Sequence, residues 1–131
     1  MINSIALLFT AILFGGMTLF SGGFAGILFR TLPSADAGRV LRAAFPRFYL
    51  FVIVTAVFPA VLLWPSDTVG AAALAAIALT TAPTRQLLMP AINRATDTGD
   101  TRRFGILHGI SVVITLAHII VAGWVLTRFL G

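Results

Sequence analysis

Four apolar stretches, separated by short polar ones, set the pattern of the chain. They predict an all-α membrane protein, a single domain over residues 1–131 with spans near 3–29, 46–64, 70–92 and 104–128 in an up-down bundle. The second stretch runs from Pro46 to Trp64, and its 19 residues reach about 28 Å at the helical rise. Tyr49 near its start and Trp64 at its end suit the two membrane interfaces. Trp64–Asp67 reads as a tight turn, and Pro59 one turn earlier as a kink. The third stretch opens with small residues (GAAALAAIAL) and is interrupted by Pro83 and Pro90. Such a helix packs deep among its neighbours.

Between the first two spans lies RTLPSADAGRVLRAAFPR. Pro33 ends the exit from the first helix, and Ser34 is placed to cap a short second one. On that helix Ala37, Val40, Leu41, Ala44 and Phe45 share one side, with Arg39 and Arg42 opposite. The pattern predicts a short helix lying in the headgroup plane. It ends before Pro46, which sits in the first turn of the next span, where proline is tolerated.

The fourth stretch carries a polar stripe. At about 100° per residue, Phe104, His108, Ser111, Thr115, His118 and Ala122 fall within roughly 40° of one line. Hydrocarbon cannot satisfy hydroxyls and imidazoles, so this stripe should turn inward. On the first helix Ala11, Gly15, Gly22 and Gly26 share a face, and Gly22-x-x-x-Gly26 is the spacing that lets helices pack closely in lipid. Gly15, Gly22 and Gly26 are therefore the expected packing positions.

Composition agrees with the pattern. Of 131 residues 59% are hydrophobic and only 10% charged, and mean hydropathy is +1.03. Soluble globular domains lie outside that range. The net charge of +5 comes from nine arginines and four aspartates. These arginines flank apolar spans, so they read as topology signals and partners for anionic lipid, and no nucleic acid partner is expected. Arg30, Arg39, Arg42 and Arg47 lie in the first loop region and Arg94, Arg102 and Arg103 near the third; the second has none. The asymmetry predicts cytoplasmic basic loops with both termini outside. No basic residue precedes Arg30, so the first span lacks the basic region of a signal peptide and reads as a retained helix.

Little conventional chemistry is visible. The chain has no cysteine, hence no disulfide or thiolate site, and no nucleophile triad, phosphate loop or HExxH. The expectation is a protein without catalytic residues and without a resident cofactor. His108 and His118 are the low-ranking metal candidates, but ten residues apart they lie about 15 Å along one helix and cannot share an ion. His118 and its copy across a dimer remain able to hold haem or copper. Arg85 is an intramembrane charge about 10 Å from its helix end, expected to snorkel to the headgroups. Asp97 and Asp100 lack the further ligands of a calcium loop, and Asp100 reads as the cap of the fourth helix.

The pieces LFGGMTLFSG, LFRTLP, FPRFY and RRFGILHGIS, in that order, resemble the small four-helix membrane family named for transmembrane protein 205. Bacterial members carry a domain of unknown function. The resemblance implies a multi-pass protein of the bacterial inner membrane. Thr115 departs from it, since an Asn is expected there. The family is distantly similar to copper-resistance membrane proteins and to a four-helix protoporphyrinogen oxidase. The latter implies a His and a Lys on separate helices, and this chain has no Lys. Platinum-drug resistance linked to eukaryotic members points toward metal or small-molecule handling. Three functions stay open: an accessory or interaction subunit with a protein partner or second copy, a haem- or copper-handling protein, and an oligomeric transporter.

Overall fold

The computed structural model describes all 131 residues and is entirely helical. There are four helices: α1 (Ile2–Thr31), α2 (Ser34–Leu63), α3 (68–97) and α4 (Thr101–Arg128). α1, α2 and α4 are long and apolar enough to cross a membrane. α3 is not among them, because threonines, Arg85 and Gln86 dilute its apolar run. Its neighbours cover it instead: Gly70, Ala71, Leu74, Ile77, Ala78, Thr81 and Thr84 are buried. A helix screened by protein needs little hydrophobicity of its own.

The separate headgroup helix expected between the first two spans does not form. α2 runs unbroken from Ser34 to Leu63 with Pro46 and Pro59 inside it. Pro46 cannot donate to the Arg42 carbonyl. Beside the break, the Arg47 side chain donates from Nη1 to the Ala43 carbonyl at 2.8 Å, and Ala37 and Leu41 stay buried on the same face as Phe48 and Val52. That continuous apolar face outweighs one lost backbone bond. Ser34 is the first helical residue, with Pro33 before it and no side-chain cap. Asp100 does cap α4, accepting from the Arg103 N–H at 3.0 Å.

α1 and α3 each contain a π-helical turn, Leu19–Phe24 and Thr84–Leu88. In each the following residue donates to the carbonyl five residues back, Ala25 to Phe20 and Met89 to Thr84. The first holds Gly22 and Gly23; the second follows Pro83, which has no N–H to give to its helix. The turns begin 17 residues (19 − 2) and 16 residues (84 − 68) into their helices. Both helices start at the same end, where Ser66 lies 3.4 Å from Asn3. The two π turns therefore lie at nearly the same level.

The core occupies one half of the bundle. Ala6, Thr10, Leu13 and Met17 of α1 pack with Val52, Ala56 and Leu63, with Leu74 and Ile77, and with Ala122 and Val125 of α4. Beyond Met17, α1 has no buried residue; before Ala122, α4 has only Ser111. The filled half is clasped by Asp67. Its carboxylate accepts two bonds from Arg128, 2.7 Å from Nε and 2.6 Å from Nη2, and caps α3 through the Gly70 N–H at 3.0 Å. At the other end Arg42 donates to Asp97 at 2.9 Å and to the Asn93 carbonyl at 3.0 Å.

Close packing falls on glycines other than those expected. A Cβ at Gly15, Gly22 or Gly26 would meet nothing within 4 Å. Between helices, the tight positions are Gly16, where a Cβ would lie 2.5 Å from the Phe51 ring, and Gly123, 3.1 Å from the Phe14 ring. Face-sharing on a helix wheel does not reveal which face meets a neighbour, and here the small face of α1 meets space. Gly16→Leu and Gly123→Leu should each lower stability by about 1–3 kcal/mol through overpacking. Gly22→Leu should leave the melting temperature in detergent nearly unchanged, and equal losses at all three positions would contradict this packing.

The Asp67 clasp has a pH signature. Arg128, aided by the Gly70 N–H, lowers the Asp67 carboxyl from 3.8 to about 2. A carboxyl lowered by folding contributes stability above its unfolded value and loses it as pH falls through the folded one. The contribution should fade between pH 3.8 and about 2. Arg128→Gln should move the acid limb of the melting profile upward, toward the ordinary carboxyl value.

Candidate functional site

Where the core stops, a cavity of about 920 Å³ begins. All four helices line it: α1 from Thr18 to Phe29, α2 from Ser34 to Tyr49, α3 from Met89 to Thr96, and α4 from Phe104 to Ile119. Its volume is within the range of about 300–1,000 Å³ that holds ligands of drug size. Half of its 26 lining residues are hydrophobic, with hydroxyls, one amide, one imidazole and two guanidinium groups set among them.

Packing explains the hollow. α4 contacts α1 through the segment Ile2–Thr18, and beyond the π turn at Leu19 the two helices part. The π turn sends Phe20 toward α2, where it stacks on Phe48 with centroids 4.1 Å apart and planes at 9°. Phe45 meets the same ring edge-on at 5.3 Å, and Tyr49 continues the cluster from Phe45 at 5.6 Å. Aromatic pairs of this kind each add about 0.5–1.5 kcal/mol beyond their burial. They hold the upper part of α1 to α2 and leave α4 standing apart. Gly22 and Gly26 line the resulting cavity.

The polar stripe of α4 divides in two. Phe104, His108, Ser111 and Thr115 line the cavity. The His108 ring stacks on Phe104 at 5.4 Å with planes at 6°, and the Ser111 hydroxyl donates to the His108 carbonyl at 2.7 Å. His118 is outside the cavity. Its Nε2 lies 2.7 Å from the Thr80 hydroxyl on α3, which itself bonds the Ala76 carbonyl at 2.7 Å. A hydroxyl has one proton, so when Thr80 gives it to Ala76 the imidazole Nε2–H is the donor to Thr80. Ala122 is buried in the core.

The two histidines are thus not brought together, and no group of three or more His or Asp side chains assembles in a metal-binding arrangement. Arg85 sits in the π turn of α3, half-buried. Its Nε donates to the Pro46 carbonyl of α2 at 3.1 Å and its Nη1 to Gln86 at 3.3 Å. This cross-helix bond also braces the irregular stretch around Pro46. At the basic end of the cavity stand Arg39, Arg42, Asn93 and Thr96. Their helical spacing put Arg39 and Arg42 on a solvent face; only the unbroken course of α2 makes them part of the wall.

Fold and site together define a helical membrane protein with an inter-helical cavity. The chain belongs to the family described as Domain of unknown function (DUF4149), whose model matches residues 8–101. That span covers most of α1, all of α2 and α3, and ends as α4 begins. The match carries an unknown-function family and does not extend to the narrower resemblance to transmembrane protein 205. No curated protein and no solved structure matches the chain.

The bond between His118 and Thr80 gives a direct prediction. In a double-mutant cycle, His118→Ala and Thr80→Ala should couple by about 0.6 kcal/mol, the average for hydrogen bonds between membrane helices. Additive losses would mean that the pair contributes nothing to the fold.

Proposed function

We propose that this protein crosses a bacterial inner membrane four times in up-down order. Both termini face outward and both basic loops face the cytoplasm. Within that frame it is a non-catalytic binding subunit, alone or beside a partner or second copy, which takes a lipophilic molecule from the bilayer into its cavity. The carrying observation is the parting of α1 and α4 beyond Thr18, which leaves between them a cavity lined by apolar residues of both helices. The four-span order is supported by the two sets of end contacts, Asn3–Ser66 with Asp67–Arg128, and Arg42 with Asn93 and Asp97. The cytoplasmic side is supported by the arginine distribution.

A binding role fits the site better than catalysis. The cavity wall offers hydroxyls, one imidazole and guanidinium groups, but no carboxylate among its lining residues to act as acid or base. Its shape and apolar lining are those of a receptacle.

Because the chain has no cysteine, single cysteines report cleanly. In intact cells Ser34→Cys and Thr98→Cys should resist an impermeant thiol reagent, and Ser66→Cys should react. A bilayer-soluble maleimide should label Thr115→Cys in the cavity much faster than Thr10→Cys in the core. Reversal of the first pattern would invert the topology. Equal, slow labelling of Thr115 and Thr10 would mean that the cavity is closed to the bilayer.

A further inference from the structure

We infer that the occupant of this cavity is a lipid with an anionic headgroup, drawn from the leaflet on the basic side. Its headgroup is met by Arg39 and Arg42, and its acyl chain lies along the open face of Gly22 and Gly26. The inference rests on the binding role proposed above and adds the chemical class of the ligand.

Charge is the first argument. The basic end of the bundle carries Arg30, Arg39, Arg42, Arg47, Arg94, Arg102 and Arg103 against Asp36, Asp97 and Asp100, seven minus three, or +4. Arg39 and Arg42 are the two of these that line the cavity. Each has an aspartate partner, Asp36 for Arg39 and Asp97 for Arg42. Those pairs are exposed and use only part of each guanidinium. Arg42 gives Nη2 to Asp97 and the Asn93 carbonyl, so its Nε and Nη1 protons remain for a ligand. A guanidinium fork fits the oxygens of a phosphate or carboxylate in just this way.

Shape is the second argument. A soluble anion needs a polar cradle of its own size, whereas this cavity continues past the arginines along Phe20, Phe45, Leu116 and Ile119. A neutral lipophile would use that wall but has no use for two guanidinium groups at its mouth. An amphiphile with a negative head uses both. Gly22 and Gly26 matter because side chains there would project into the space the chain occupies; a Cβ at either meets nothing within 4 Å. The π turn at Leu19–Phe24 serves the same end, since it turns Phe20 toward α2 and keeps the glycine face toward the gap.

Position is the third. The gap lies between α1 after Thr18 and α4 before Ile119, at the end where basic residues collect. A lipid of that leaflet has its headgroup at the level of Arg39 and Arg42, and it enters sideways without leaving the membrane.

The test is native mass spectrometry of the purified full chain in detergent containing equal amounts of phosphatidylglycerol and phosphatidylcholine with the same chains. Wild type should retain one phosphatidylglycerol in preference to phosphatidylcholine. Arg39→Gln/Arg42→Gln should weaken phosphatidylglycerol binding about a hundredfold, about tenfold for the charged bond lost at each arginine, and abolish the preference. Gly22→Leu/Gly26→Leu should retain neither lipid. Thr115→Leu, from the opposite wall, gives the same reading should the glycine pair misfold. Soluble glycerol phosphate should not displace the bound lipid.

Equal retention of both lipids by wild type, lost in the leucine variants, overturns the anionic specificity and leaves the cavity as a lipid site. Phosphatidylglycerol held equally by wild type and leucine variants places the lipid on the outer surface and overturns both. No retained lipid in any form overturns both as well. Displacement by glycerol phosphate assigns the arginines to a soluble anion and overturns the lipid.

Discussion

How closely α1 and α4 approach decides the rest of this structure. At Gly123 the absence of a side chain lets the Phe14 ring seat against the α4 backbone, and Leu13, Met17, Ala122 and Val125 close the core around that point. Past Met17 nothing comparable joins the two helices. A π turn then ties Phe20 to Phe48 of α2, so that α1 follows α2 and leaves α4. The bundle is consequently solid in one half and hollow in the other. In soluble proteins a cavity of this size would be filled by collapse or water; in a membrane its apolar wall is compatible with lipid.

Much of the architecture was legible along the chain. The apolar stretches marked four helices to within a few residues at most ends, and Asp100 was recognisable as a cap. The short headgroup helix was misread because Pro46 looks like a beginning. Seen locally, a proline after an amphipathic turn starts a new helix; the buried run Ala37, Leu41, Phe48, Val52 shows the two pieces to be one. The partner of Arg85 was not legible for a related reason. Snorkelling is the default for a lone arginine in lipid, and no sequence rule places the Pro46 carbonyl of another helix 3.1 Å from its Nε.

The site was half legible. Solvation predicts that the α4 stripe turns inward; His108, Ser111 and Thr115 line the cavity and His118 lies against Thr80 of α3, while Phe104 and His108 remain exposed. What periodicity cannot tell is whether an inward face meets a helix or a hole. The same limit applies to the glycines. Gly22 and Gly26 have the spacing of a packing motif, yet in this chain they border open space, while Gly16 and Gly123, without any motif, make the close contacts. Arg39 and Arg42 entered the site only through the tertiary course of α2. The end of the bundle that collects arginines is also the end where α1 and α4 part.

The parting of α1 and α4 can be measured directly by cross-linking paired cysteines in this otherwise cysteine-free chain. A short bifunctional thiol reagent should join Phe14→Cys to Gly123→Cys, where the helices touch. The same reagent should fail to join Gly22→Cys to Thr115→Cys across the cavity, although a long flexible reagent should succeed at both. Equal yields from the short reagent at the two levels would mean that α1 and α4 stay together along their length, and the cavity with its proposed role would not stand.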